Sequence, residues 1–276
     1  MKTWLITGCS SGIGAGIAKA VLASGDQAIV TARNKDKVLD IVKDYPETAL
    51  ALDLDVCSQK SIDEAVAKAN ERFGTIDVLV NNAGYGYRSA VEEGEGEEVQ
   101  KLYDTNLFGP VALIKAVLPK MREQKTGFIL NVTSIAAARS AVGSAYYASS
   151  KAALELLTDG LRKELAPLGI VAMVVQPGAF RTRFYDNTSL QGTKTTISDY
   201  ESTVGKSRPG NFAVTHNQAG DPDRAGKIIV DIVHGDRYPA ILTLGKDAVT
   251  AVKSSLEAKI KELDEWADVS AQADFE

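Results

Sequence analysis

Short runs of consecutive apolar residues alternate along this chain with longer stretches in which apolar positions recur every three or four residues. The runs Thr3–Thr7, Gln27–Thr31, Ala49–Leu52, Val78–Asn81, Gly127–Val132, Ile170–Gln176 and, more weakly, Ala240–Leu242 have the length of strands. Between them Ile13–Ser24, Lys35–Tyr45, Ser58–Phe73, Glu97–Glu123, Ala145–Leu165 and Asp223–His234 carry the helical period. Repeated strand–helix–strand units require a parallel sheet with helices on both faces. The expectation is one α/β domain over residues 1–276, a doubly wound parallel sheet of about seven strands.

Two segments break the alternation. Arg183–Gly220 gathers Gly192, Gly205, Pro209, Gly210 and Gly220 among many Ser and Thr. A long polar insert after a late strand, at the edge where ligands bind, reads as a substrate lid over about 183–220; a disordered surface loop is the plainer alternative. Asp247–Trp266 sets Val249, Val252, Leu256, Ile260, Leu263 and Trp266 at steps of three or four. That spacing predicts an amphipathic helix docking on its own domain or on another subunit, and the acids among its lysines argue against a membrane surface.

The 276 residues suffice for one large domain, and 45% hydrophobic with 24% charged residues suits a soluble globular protein. A net charge of −5 offers no basic footprint for nucleic acid or an anionic membrane. The two cysteines, Cys9 and Cys57, make a disulfide framework or zinc site improbable and fit a reducing compartment. Two histidines exclude an all-histidine metal site but not a carboxylate one. The few residues before Gly8 leave no room for a signal peptide, so a cytoplasmic location is expected.

The first apolar run leads into Thr7-Gly8-Cys9-Ser10-Ser11-Gly12-Ile13-Gly14, which opens the helical pattern Ile17, Val21, Leu22. Gly8 suits the positive φ of a tight turn, Gly12 lets backbone N–H groups approach a pyrophosphate, and Gly14 lets the helix pack closely. The helix N-terminus adds unpaired donors and a positive dipole. Farther on, Tyr147 and Lys151 stand four residues apart on a predicted helix and share a face. Ser134 follows a strand, and Asn106 lies in the long helical segment before it.

Taken in order, the turn Thr7–Gly14, Asp55-Val56, Asn81-Asn82-Ala83-Gly84, Asn106, Ser134, Tyr147 with Lys151, and Pro177-Gly178 followed by Thr182 resemble the short-chain dehydrogenase/reductase family over residues 7–182. The resemblance implies a Rossmann fold and hydride transfer between a dinucleotide and a ketone or secondary alcohol. It implies catalysis by Asn106, Ser134, Tyr147 and Lys151. It also implies a cofactor site from Gly8, Ser10, Ser11, Gly12, Ile13, Gly14, Arg33, Asp55, Val56, Asn82, Ala83, Gly84, Tyr147, Lys151, Pro177, Gly178, Phe180 and Thr182. By the same resemblance Lys151 binds the nicotinamide ribose, Asn106 positions a proton-carrying water, and the protein is a homodimer or homotetramer packed through Leu107–Met121 and Ala152–Leu165.

The chemistry follows independently. Reducing a carbonyl needs a proton on oxygen as well as a hydride on carbon. A free phenol titrates near pH ~10, and the Lys151 ammonium stabilises its phenolate, which makes Tyr147 the acid/base. Ser134 can donate to the substrate oxygen. The second strand ends in Ala32-Arg33, with no acid for a ribose 2′-hydroxyl and a guanidinium suited to a 2′-phosphate, so NADP(H) is favoured. NAD(H) stays open if Arg33 is an ordinary surface residue.

Substrate walls are expected from Tyr85, Tyr87 and Arg88, from Ile135–Val142, and from Phe180, Phe184, Tyr185 and Phe212, around an apolar small molecule. Two other functions stay in view. One is a dinucleotide sensor without turnover; the other is an epimerase or dehydratase using the same tyrosine and lysine.

Overall fold

The computed structural model describes residues 1–186, 189–209 and 217–275, with the Tyr185 side chain left aside. Nine strands appear among these residues: β1 (Thr3–Ile6), β2 (Gln27–Ala32), β3 (Ala49–Asp53), β4 (Val78–Asn81), β5 (Gly86–Arg88), β6 (Gly127–Val132), β7 (Ile170–Pro177), β8 (Leu190–Gly192) and β9 (Ile241–Leu244). Seven form one sheet in the order β3-β2-β1-β4-β6-β7-β9, every neighbour parallel. Strands covered on both faces have no polar side, which is why the core ones read as unbroken apolar runs.

Alternation along each strand divides the core in two. Trp4, Ile6, Val30, Val80, Leu130 and Val175 face helices α1 (Gly12–Ala23) and α7 (Pro222–His234). Leu5, Ile29, Leu79 and Ile129 face α3 (Gln59–Phe73) and α5 (Gly109–Gln124). Helices α1 and α7 cross at a contact only glycine permits: a Cβ on Gly16 would stand 2.1 Å from the Pro222 carbonyl oxygen.

The order of strands reverses beside β1, and parallel pairing puts the carboxyl ends of β1, β4, β6 and β7 along one edge. A crevice opens at such a switch point. The glycine turn, Asn82–Gly84, Ser134 and Pro177-Gly178 all leave the sheet there.

Some elements differ from the sequence reading. Lys35–Tyr45 is a 3-10 turn over Lys35–Val38 followed by one helical turn, α2 (Leu39–Val42). Its start is diverted because Asn34 caps the Asp36 N–H and the Asp53 carboxylate takes the Lys35 N–H. Glu97–Glu123 is α4 (Gly96–Tyr103), a wider π-helical turn over Asp104–Phe108, and then α5. Pro110 has no N–H to return to the Asn106 carbonyl, so the regular ladder fails there and the turn widens. The pair β5–β8 was not anticipated, being three residues a side with one strand inside the glycine-rich insert.

The insert is tied to the body over its described part. The Glu93 carboxylate, fully buried, accepts from the Ala90 N–H (3.1 Å), the Ile197 N–H (2.8 Å) and Arg208 Nη2 (2.5 Å). Arg208 also pairs with Glu201. Burial alone would raise the Glu93 pKa; the two N–H groups and the guanidinium outweigh it and hold the carboxyl below its usual range.

The C-terminal segment forms α8 (Lys246–Glu265) and the short α9 (Ala267–Ala271). Its apolar stripe does not meet its own domain: Leu256, Ile260 and Leu263 are 51%, 58% and 71% exposed.

Candidate active site

The glycine turn is fixed by the loop after β4. Thr7 Oγ1 accepts from the Asn82 and Ala83 N–H groups, both at 2.9 Å, while Asn82 Nδ2 donates to the carbonyls of Thr7 (2.9 Å) and Gly8 (3.2 Å). Gly8 and Gly12 have φ of +72° and +62°, a region that penalises any Cβ. Ser11 begins α1 in an extended conformation, its side chain makes no capping bond, and the first turn carries no acid. The first N–H groups of α1 therefore present an uncontested anion site to the crevice.

At the far end of that crevice Arg33 lies exposed just beyond β2, next to buried Ala32. The Asp55 backbone N–H donates to Ser61 Oγ (3.0 Å) and its Oδ1 accepts from the Cys57 N–H (3.0 Å), which leaves Oδ2 for a ligand.

The reactive end is built by α6 (Ala145–Leu165) against the loop after β6. Tyr147 is half-buried with its ring 5.6 Å from that of Phe184. One helical turn on, the Lys151 ammonium donates to the Val132 carbonyl at 3.0 Å. Its side chain is buried, and loss of hydration lowers its pKa from 10.5 to about 8. Ser134 Oγ accepts from the Ala136 N–H at 3.1 Å, so its own proton is left to give to a ligand oxygen.

Asn106 is fully buried in the π-helical turn. Its Nδ2 donates to the Tyr85 carbonyl (3.0 Å) and Ser150 Oγ (3.2 Å), and its Oδ1 accepts from the Tyr85 N–H (3.1 Å). A Cβ on Gly84 would stand 3.0 Å from that oxygen and 3.1 Å from Lys151 Nζ, so both groups press on the back of Gly84.

One cavity of about 870 Å³ joins these parts. Its wall includes Gly8, Ser10, Ser11, Gly12, Ile13, Arg33, Asp55, Val56, Asn82, Ala83, Gly84, Ser134, Tyr147, Lys151, Pro177, Gly178, Phe180 and Thr182. Two expected residues stand behind it. Gly14 packs on the turn, where a Cβ would lie 2.4 Å from Asn82 Nδ2 and 2.6 Å from the Gly8 carbonyl oxygen, and Asn106 supports Tyr85.

On the substrate side Tyr85, Arg88, Ile135 and Phe184 line the cavity. Tyr87 does not: it is 1% exposed, its hydroxyl accepts from the Glu95 N–H, and its ring packs 6.3 Å from Tyr146. Phe212 lies outside the described residues, as does the Tyr185 side chain. The wall also holds Glu98, Lys101 and Thr105, which the sequence reading missed although their spacing places them on one helical face. Arg139, Ser144, Ser189 and Gln191 also belong to it. Among the described residues no group of three or more His, Cys, Asp or Glu could hold a metal.

This arrangement of sheet, turn and Tyr–Lys pair has known relatives. A family model for short chain dehydrogenases matches residues 2–192, and the chain belongs to that family of oxidoreductases. It is 33% identical over 270 residues, 98% of each chain, to the oxidoreductase BOA17 of Botryotinia fuckeliana. It superimposes on a short-chain dehydrogenase from Streptomyces avermitilis with a TM-score of 0.91 and 38% identity, covering 99% of this chain and 100% of that one. An alcohol dehydrogenase from Thermococcus sibiricus complexed with 5-hydroxy-NADP gives a TM-score of 0.69 at 28% identity, covering 88% of this chain and 95% of that one. A 3-ketoacyl-(acyl-carrier-protein) reductase from Brucella melitensis complexed with NADH gives 0.73 at 26%, covering 88% and 96%.

Proposed function

We propose that this protein is an NADP(H)-dependent oxidoreductase that interconverts a ketone and a secondary alcohol, with Tyr147 as general acid/base. The observation that carries the reading is the single cavity running from the bare N-terminus of α1 and Arg33 to Ser134, Tyr147 and Lys151.

The residues fit a dinucleotide. Backbone N–H groups from Ser10 to Ile13, with no opposing acid, suit its pyrophosphate. Arg33 suits a 2′-phosphate, and the nearby Asp53 carboxylate is occupied by the Lys35 N–H (2.7 Å). Asp55 and Val56 would take the adenine, the backbone of Asn82–Gly84 its ribose, and Pro177, Gly178, Phe180 and Thr182 the nicotinamide end. When bound, the dinucleotide supplies or accepts the hydride. The neighbour from Brucella melitensis is complexed with NADH, the unphosphorylated cofactor, so the preference proposed here rests on Ala32 and Arg33.

Every other step belongs to side chains. Ser134 donates to the substrate oxygen and holds it beside Tyr147, which transfers the proton. At neutral pH Lys151, with its pKa of about 8, is mainly ammonium and favours phenolate on Tyr147. Asn106 keeps Tyr85 and the back of Gly84 in register with that ammonium. No helix among the described residues is long and apolar enough to cross a membrane.

Initial rates of NADPH and NADH oxidation against aliphatic, aromatic and polycyclic ketones test the reading. NADPH-linked turnover, shifted toward NADH by Arg33→Asp, is the expected result. Tight NADPH binding without turnover in either direction would replace it with a dinucleotide sensor, and an unchanged preference in Arg33→Asp would remove that residue from the cofactor site.

A further inference from the structure

Charge is unevenly placed on the cavity wall. Lys101 pairs with Glu98 at 2.8 Å, and the Lys151 ammonium is held on the Val132 carbonyl. Arg33 shares the cofactor end with Asp55 and Asp104, all three acting electrostatically on Cys57. The charged groups left to the substrate side are two guanidiniums, those of Arg88 and Arg139. Two contacts bring them there. The Ser89 N–H donates to the Gly143 carbonyl at 3.0 Å, which stitches the end of β5 to the loop that carries Arg139. From α8, Ser255 Oγ and Lys259 Nζ both donate to the Ala138 carbonyl, at 3.1 and 3.2 Å, and so fix the residue next to Arg139.

Arg139 is exposed, and among the described residues its guanidinium meets no carboxylate. Segments 187–188 and 210–216, outside the described residues, contain no acid. A guanidinium keeps its charge at any working pH and presents a planar fork that matches a carboxylate. The same side of the wall includes Ile135, Ala141 and Phe184, which suit an apolar chain.

Given the function proposed above, on which this reading rests, we propose that the substrate is an oxo acid, or the hydroxy acid formed from it. Its carbonyl meets Ser134 and Tyr147, and Arg139 receives its carboxylate. Arg88 adds positive field on the same side. Ser134 begins the 3-10 turn Ile135–Ala137 and Arg139 follows it. At about 2 Å of rise per residue the two positions stand within about 10 Å of each other, so several carbons, rather than one, separate the carboxylate from the reacting carbonyl. Hydride and proton go to that carbonyl as before, and the carboxylate leaves unchanged.

The test compares methyl-ketone acids of increasing chain length, from levulinate upward, with their methyl esters, at saturating NADPH, in wild type, Arg139→Gln and Arg139→Glu. The ratio of kcat/KM for acid over ester isolates the charge and cancels any general loss of activity. Wild type should favour the acid, most strongly for the longer chains. Arg139→Gln should lower the ratio roughly tenfold, through KM, and Arg139→Glu should lower it further. A wild-type enzyme that treats acid and ester alike, or a ratio that Arg139→Gln leaves unchanged, overturns the proposal while ketone turnover keeps the oxidoreductase in place. Octanoate, which has no ketone to reduce, reads the anion site without turnover. Titrated calorimetrically into the NADPH-loaded protein, it should bind wild type and bind Arg139→Gln roughly tenfold more weakly. Such binding in a protein that turns over no ketone would keep the carboxylate site and remove the oxidoreductase reading; neither binding nor turnover overturns both.

Discussion

Replacing Lys151 by methionine is expected to make the cofactor-free protein more stable at neutral pH while abolishing most of its turnover. The ammonium is buried, and the fall of its pKa from 10.5 to about 8 corresponds to about 3 kcal/mol of unfavourable charge burial. Methionine fills similar space without a charge, but it gives up the hydrogen bond to the Val132 carbonyl, worth about 1 kcal/mol. The net gain is about 2 kcal/mol. The sign follows from linkage. A cationic group whose pKa is lower folded than unfolded imposes its full penalty below the folded value, and the penalty fades as pH rises from about 8 toward 10.5. Urea unfolding of Tyr147→Phe and of Tyr147→Phe/Lys151→Met, from pH 7 to pH 10, isolates the lysine from the phenol beside it. The methionine variant should be the more stable at pH 7, and the gap should close toward pH 10. A methionine variant that is less stable at pH 7, or a gap that does not change with pH, would refute the argument that catalysis here is held at a cost in stability.

Other outcomes follow from the same geometry. Glu93→Gln removes the charge that joins the insert to the body, so KM should rise more than kcat falls. Because the Glu93 pKa is lowered on folding, its stabilisation is present above the ordinary carboxyl value and lost as pH falls through the folded one. Melting temperatures of wild type and variant should therefore differ at pH 7 and converge as pH falls through the lowered carboxyl pKa of the folded protein. Gly14→Ala places a methyl group 2.4 Å from Asn82 Nδ2, and NADPH affinity measured by fluorescence should fall about tenfold or more as the turn is displaced. Asn106→Ala leaves Tyr85 without its two-way clamp and should lower kcat with the fold retained, as read by rates and circular dichroism.

The sheet was legible in the sequence because strands covered on both faces must be apolar throughout, and each of the seven central strands overlaps such a run. The cavity wall was legible for a related reason: turns that follow parallel strands share one edge, so motifs far apart in sequence converge. What resisted reading depends on contacts between distant segments. Pro110 marks a helix start, but nothing local says that the preceding turn must widen around Asn106. Tyr85 and Tyr87 stand two apart and would share a face of a regular strand, yet Tyr85 precedes β5 and lines the cavity while Tyr87, inside the strand that pairs with β8, is buried. The insert's attachment needs Glu93 to meet Arg208 across 115 positions of sequence. The stripe on α8 was visible, but periodicity gives a face and not its partner.

The central claim is that Tyr147 delivers the proton in a site that binds NADPH without its help. Its most direct test is to measure NADPH affinity and ketone-dependent NADPH oxidation on the same preparations of wild type and Tyr147→Phe. The account predicts nearly equal affinity and a loss of most turnover in the variant. Near-normal turnover by Tyr147→Phe would contradict it.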